Sequence, residues 1–372
     1  MLVNRNEWVV RLTKLMSAVG PGTIAGAFSC FLFEGGRIST NNGTFHMETC
    51  TSLVPEKDTY VPAAPFLKLL TSLPDEEVEL IFEGDLLHVK TKSLNGKLNV
   101  AVREEPKEKV EATTEHVISN IKDYLSGMSF CMPAASQDVT TAAMCGVRCT
   151  EELVLSSNRF KIFTWAKDNY TSQKFQYTLP VTLIEVLNKF KGEIKSLVLN
   201  IGNKTKEVIT LTAQLDDATL IEGAPIVGKY EDLKKYFPPE GAKHIDIPIN
   251  QEFIQSVSRL TVFLSNLLSA NKEMFVTVTG DRCELSVHNP DYGRIVEEIF
   301  LPIPDETFEC SFCVNPTLIT DALDTLPGDS PQVSYYSDLH LLVIKSDQSN
   351  CCMPTRLTLE KKETKEETND KQ

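Results

Sequence analysis

The sequence predicts an α+β protein made of one unit repeated three times, each unit laying two amphipathic helices on one face of antiparallel sheet. Three observations predict it. A short helix, a gap and a strand recur three times along the chain. A longer, apolar-striped helix precedes each recurrence. Alternating strand segments broken by Gly or Asn turns lie between the two helices.

The longer helices come first in each unit. Residues 4–19, NRNEWVVRLTKLMSAV, put Trp8, Leu12, Leu15, Met16 and Val19 on one face. Residues 117–130, VISNIKDYLSGMSF, form the second copy, and QEFIQSVSRLTVFLSNLL forms the third. In that third copy Phe253, Val257, Leu260, Leu264 and Leu267 are in phase. Spacings of three and four residues keep an apolar stripe on one side of a 3.6-residue turn.

The strand segments are FSCFLFEGGRIST, ELVLSSNRFKIFTWA and MFVTVTGDRCELSVHN. The short-helix pattern then reads VPAAPFLKLLTSLPDEEVELIF from Val61, LPVTLIEVLNKFKGEIKSLVLNI from Leu179, and NPTLITDALDTLPGDSPQVSYY from Asn315. Pro62, Pro180 and Pro316 stand at matching places, 118 and 136 residues apart. Proline suits a helix start because its fixed φ is already helical and its missing N–H leaves no bond unmade. Charged or Pro-rich stretches at Arg103–His116 and Phe237–Pro248 read as linkers. The predicted domains are therefore 1–110, 111–246 and 247–358, with a charged disordered tail at 359–372.

Composition excludes several function classes. The chain of 372 residues has a hydrophobic content of 42% and no apolar run long enough to span a bilayer. Its opening residues carry charge where a secretion signal would be apolar, which points to the cytoplasm. The ten cysteines then read as thiols in a reducing compartment. Cys310 and Cys313 form a single C-x-x-C without the second ligand pair a zinc site needs, so no metal or cofactor is expected. The net charge of −14 argues against an ordinary basic DNA-binding surface, though not against a local or topological grip.

Catalytic constellations are missing too. The sequence has no phosphate-binding G-x-x-x-x-G-K-[ST], no H-E-x-x-H and no G-x-S-x-G. His46, His88, His116, His244, His288 and His340 are dispersed. Glu297 and Glu298, like Asp216 and Asp217, are adjacent, so on a strand they face opposite sides and cannot share a proton. The reading is of a non-enzyme. A repeat-built protein-interaction scaffold with no DNA role is the alternative, and a zinc-dependent nucleic-acid enzyme using the cysteine pairs is a third.

Several strings, in order, resemble one family. SNRF at Ser157–Phe160 is similar to a Gly-His-Arg-Leu turn. GKYEDLKKYFP at Gly228–Pro238 is similar to a Gly-Arg-Phe-Pro-x-Tyr segment. FLSN, VHNPDYGRIVEEI, VNPTLITDALDTL and the closing CMPTRL follow at matching intervals. From about Asn6 to Leu357 the chain resembles the bacterial DNA polymerase III β sliding clamp. It departs from that pattern at GPGTIAGAF, which lacks an Arg-Pro pair, and at QDVTTAAMCG, which lacks tyrosines. These are the departures of a diverged clamp, cellular or viral, or of a related clamp with altered partners.

The resemblance implies a six-domain ring closed by a head-to-tail homodimer, threaded by duplex DNA without sequence preference. It implies a DNA polymerase and a clamp loader as partners, and no membrane. Twelve inward helices spaced about 8–10 Å apart would trace a circle roughly 31–38 Å across. Removing one helix diameter of ~10 Å leaves ~21–28 Å, enough for a duplex.

It also implies site residues. A partner peptide would enter a pocket of Leu155, Ser157, Asn158, Arg159 and Phe160, with Tyr236 and Phe237, Asn315 and Leu318, and the terminal Met353, Pro354, Arg356 and Leu357. A mildly positive lining would draw on Arg5, Arg11, Lys14, Lys68, Lys122, Lys189, Arg259 and Lys272. At the dimer edge Phe263 and Leu264 would pack, and Arg103 would face Glu297 and Glu298.

Overall fold

The computed structural model describes residues 1–21, 26–102, 113–166, 175–268, 272–303, 308–326, 331–346 and 349–355. They fall into two compact units, Met1–Ser156 with Lys167–Tyr230, and Ser157–Ala166 with Glu231–Gln372.

Among the described residues, six α-helices form three packed pairs. The long members are α1 (Arg5–Leu15), α3 (Ile121–Cys131) and α5 (Gln251–Phe263). The short members are α2 (Ala63–Ser72), α4 (Val181–Lys189) and α6 (Pro316–Thr325). α1 packs on α2, α3 on α4, and α5 on α6.

Every long helix starts on an asparagine. Asn4 Oδ1 accepts the Glu7 N–H at 3.1 Å, Asn120 Oδ1 accepts that of Asp123 at 3.1 Å, and Asn250 Oδ1 accepts that of Phe253 at 2.9 Å. Each bond satisfies one of the orphan donors of a first turn, a contribution of ~1 kcal/mol. The prolines match to within one residue. Pro62 and Pro180 are the N-caps of α2 and α4, whereas Pro316 is the first residue of α6 behind an Asn315 cap.

The long helices are shorter than their apolar stripes suggest. α1 gives way to a tighter turn at Met16–Ala18, and Ala18 rather than Val19 is buried. Val117 belongs to a strand, so α3 begins four residues later than expected. α5 stops at Phe263, and Leu264 caps it.

Both expected linkers contribute sheet. Thr113–Val117 pairs antiparallel with Ile194–Gly202, and Ile245–Ile247 pairs with Gln332–Tyr336. Together with Leu2–Asn4 against Glu77–Glu83, these are three equivalent ladders. In each, a short strand before the long helix pairs with the strand after the short helix. Composition hides such strands, because half-exposed edge strands tolerate Thr, Glu and Lys.

The rest of the sheet repeats as well. In the first unit the strand order around Cys30–Glu34 is Thr59–Pro62, Cys30–Glu34, Arg37–Asn41, Phe45–Cys50. In the second unit it is Glu309–Val314, Met274–Thr279, Arg282–Asn289, Gly293–Phe300. The intervening repeat orders Tyr177–Pro180, Gly146–Cys149 and Leu153–Ser157 the same way.

Repeats join by one device, seen twice. Within the first unit, Phe45–Cys50 pairs antiparallel with Leu220–Gly223, matching Phe45 with Gly223 and Glu48 with Leu220. Within the second, Ile162–Ala166 pairs antiparallel with Ser349–Pro354, matching Ile162 with Cys352 and Trp165 with Ser349. Each joint sets the third strand of one repeat's four against the last strand of the next repeat. At the first joint any residue larger than glycine would force the Leu183 side chain to shift. A Cβ on Gly223 would stand 2.5 Å from Leu183 Cδ2.

Two strands of the same type end their sheets among the described residues. Gly293–Phe300 is the third strand of the last four, and Asn95–Asn99 is the last strand of the first repeat's helix-flanking sheet, ahead of the short strand Ala101–Val102. Val296 and Phe300 on the former are 48% and 58% exposed.

Aromatic cores fill the helix–sheet space. Trp8 stacks on Phe33 and meets Phe66 edge-on, both at 6.4 Å between ring centroids. Phe312 stacks on Tyr335 at 4.6 Å. Each such ring contributes about 1.5–3 kcal/mol by burial. No helix among the described residues is long and apolar enough to cross a membrane.

Candidate partner pocket and helix-face cations

The second unit carries a tight turn at Ser157–Lys161 on the way into the strand Ile162–Ala166. Ser157 is buried, and its Oγ accepts the Arg159 N–H at 3.1 Å. Asn158 Oδ1 accepts the N–H groups of Phe160 at 3.0 Å and Lys161 at 3.1 Å. Such side-chain mimicry of a backbone turn is what Asn does best. Arg159 takes a φ of 73°, the left-handed region that costs a non-glycine residue about 1–2 kcal/mol. The turn thrusts Phe160 outward, 66% exposed.

Two other segments of the unit come to this turn. Tyr236, 43% exposed, donates its hydroxyl to Glu231 Oε1 at 2.7 Å, and Lys235 Nζ reaches the same oxygen at 2.8 Å. Those two hydrogen bonds hold the Glu231 carboxyl below the usual carboxylate range. The Tyr236 carbonyl lies 3.7 Å from Cys352 Sγ, next to Met353 on the terminal strand. Phe237 is half-buried.

Helix α6 is tied to the same turn. Asn315 caps it through the Thr317 N–H at 3.0 Å, and Leu318 faces inward. Asp321, one turn on, meets Lys161 Nζ at 2.5 Å. Lys161 is only 4% exposed, and its ammonium also sits 5.2 Å from the centre of the Phe163 ring. The Lys161–Asp321 pair thus ties the Ser157–Phe160 turn to α6, and Cys352, paired with Ile162 and bonded to the Tyr236 carbonyl, ties the terminal strand to the same region. Met353 is fully buried, whereas Pro354 is exposed. Leu155, also buried, is counted with the other compact unit. Arg356 and Leu357 lie outside the described residues, as does Arg103.

The expected lining cations mostly have partners. Arg5 donates to the Leu73 carbonyl at 2.6 Å and to Asn6 Oδ1 at 2.7 Å. Arg11 donates to the Cys50 carbonyl at 3.1 Å. Lys14 binds Glu193 at 2.5 Å and Asp217 at 2.7 Å, tying α1 to the second repeat. Burial opposes the Lys14 charge, but its hydrogen bonds to Asp217 and Glu193 outweigh that and raise its pKa. Lys189 donates to Ser17 Oγ at 2.9 Å. Arg259 grips Glu297 with Nε at 3.1 Å and Nη2 at 2.5 Å. Lys68 and Lys122 are exposed, and Lys272 is half-buried. On the helix of the last short copy, Asp324 is exposed.

Residues expected at a subunit edge divide. Leu264 is fully buried inside its own unit. Phe263 is half-buried, its ring 6.1 Å from that of the exposed Tyr292. Glu297 is held by Arg259, and Glu298 accepts from Arg282 at 3.1 Å, so both carboxylates have partners in their own unit.

Three of the buried thiols are chemically quiet. All ten cysteines are free. Burial pushes the Cys310 thiol up to about 11 and those of Cys283 and Cys352 up to about 12. Thiolate is the form that attacks or ligates, so these groups are poorly suited to either. No group of three or more His, Cys, Asp or Glu is placed to hold a metal ion among the described residues.

Sequence reasoning missed Lys161, Asp321 and Glu231. The signal for the first was present: a lysine opening the apolar run KIFTWA is rarely buried unless paired. Its partner, 160 positions away, carried no mark.

Comparison with solved structures places the fold. A DNA polymerase sliding clamp from Bacillus subtilis superposes with a TM-score of 0.78 at 16% identity, covering 96% of this chain and 98% of that one. The DNA polymerase III β subunit from Pseudomonas aeruginosa gives 0.80 at 15% identity, covering 96% and 100%. The β subunit from Thermotoga maritima gives 0.76 at 18% identity, covering 96% and 99%. No protein-family model and no curated protein matches the sequence. The chain has the three-repeat α+β fold of these clamps.

Proposed function

We propose that this chain, sharing its fold with bacterial sliding clamps, is itself a ring-forming DNA sliding clamp. Two copies close head to tail around duplex DNA and tether a polymerase, with no catalysis of their own. A clamp loader opens the ring, and short peptides of the partners dock at the Phe160–Tyr236 surface.

One observation carries the proposal. The joint between repeats is made twice by the same pair of strand types, and among the described residues each half of a third joint stands at a sheet end. Gly293–Phe300 of one copy would meet Asn95–Asn99 of the next, and the reciprocal pair would close the ring. A heterologous contact that closes after a fixed rotation gives a ring rather than a fibre. The exposed Val296 and Phe300 are the apolar side chains such an edge would cover.

The cations fit a topological grip. Strong phosphate contacts would stall sliding and make binding steeply salt-dependent. Helix-face cations already neutralised by carboxylates, as Lys14 and Arg259 are, give a weak field instead. The expected outcome for the double substitution Val296→Asp and Phe300→Asp is a chain of half the parent's mass in light scattering. An unchanged dimer mass would place the edge elsewhere.

A further inference from the structure

We propose that Lys161 is a positioning residue of the peptide pocket, holding the Asn158–Phe160 turn to helix α6 from beneath. The inference rests on reading this surface as a peptide pocket. Lys161 shows only 4% of its surface, and lysine tolerates such burial only with a counterion. A buried ion pair adds little to stability over a well-packed apolar pair, so stability alone does not explain it.

Its position does. The Lys161 N–H is one of the two that Asn158 Oδ1 accepts, so the backbone of Lys161 closes the turn that presents Phe160. The side chain of the same residue ends on Asp321 at 2.5 Å. Asp321 lies three residues beyond Leu318 on α6, and residues three apart share a helix face. One side chain therefore fixes the Phe160 wall relative to the Leu318 wall. An apolar side chain would fill the same space without a directional bond. The Arg159 backbone, at a φ of 73°, resists that conformation and needs outside support. A wall held in place in advance binds more tightly, because apparent affinity scales with the fraction of molecules already competent.

The test uses the full chain and three variants, Lys161→Met, Lys161→Arg and Phe160→Ala. The probe is a fluorescein-labelled synthetic hexapeptide of leucine, phenylalanine and aspartate. Two quantities are read in each protein: peptide affinity, and hydrogen exchange at the residue 160 amide. Lys161→Met is expected to keep the parent's melting temperature within a few degrees, to bind the peptide about tenfold more weakly, and to exchange that amide at least tenfold faster. Lys161→Arg, which keeps a cation for Asp321, is expected to hold both values within about threefold of the parent. Unchanged amide exchange and unchanged affinity in a folded Lys161→Met protein overturn the proposal. So does loss of both in Lys161→Arg, which is also the deciding variant if Lys161→Met does not fold. Unchanged affinity in Phe160→Ala would instead remove the pocket reading, and the amide exchange would still decide the role of Lys161.

Discussion

Replacing Asp321 with asparagine is expected to destabilise the second compact unit by about 3 kcal/mol, read as a lowered denaturant midpoint. The asparagine keeps the shape of the side chain and loses only its charge. Lys161, 4% exposed as a residue, is then left with no counterion, and an uncompensated buried charge is among the most costly defects a fold can carry. The opposite single change is expected to be mild. Lys161→Met leaves Asp321 with a third of its side chain in water, where a carboxylate is readily solvated. The asymmetry between the two variants is the signature of the pair. Equal and small effects would show that the ammonium escapes to solvent when its partner goes.

Met353→Ala is expected to cost about 2–5 kcal/mol, from lost burial plus the cavity left behind. Met353 is fully buried in the strand Ser349–Pro354, paired with Leu342 on one side. Peptide binding lost in this variant would therefore report disruption of the strand rather than removal of a contact. Phe160, which stands in solvent, is the cleaner probe of recognition. An unfolding midpoint for Met353→Ala equal to the parent's would show that Met353 moves freely and belongs to the pocket wall.

The threefold repeat was legible because it is written in features that survive divergence: matched prolines and apolar stripes at helical spacing. A third mark, the asparagine caps Asn4, Asn120 and Asn250, was equally present and went unread. Helix ends were misjudged where an apolar stripe runs past the helix. Leu264 continues the face of α5 although it is the cap, and the cap position buries it. The strands at the ends of the expected linkers were hidden for a different reason, and residues 103–112 of the first linker lie outside the described residues. Residues 113–117 and 245–247 are polar or mixed because each is an edge strand with one side in water.

Charge was the least legible property. Sequence locates Lys14 on a polar helix face but cannot show that Glu193 and Asp217, from another repeat, already hold it. The same holds for Arg259 and Glu297, which the sequence assigns to two different tasks and the structure assigns to each other. Partners far apart in sequence are set by strand register, and no local pattern encodes them.

Ring closure around DNA is tested most directly by topology. The protein is loaded onto a nicked circular plasmid with its clamp loader and ATP, isolated as the complex, and the plasmid is then cut once. The account predicts that the protein stays with the intact circle through filtration and is released when the circle is linearised. Equal retention on the linear and circular forms would contradict it.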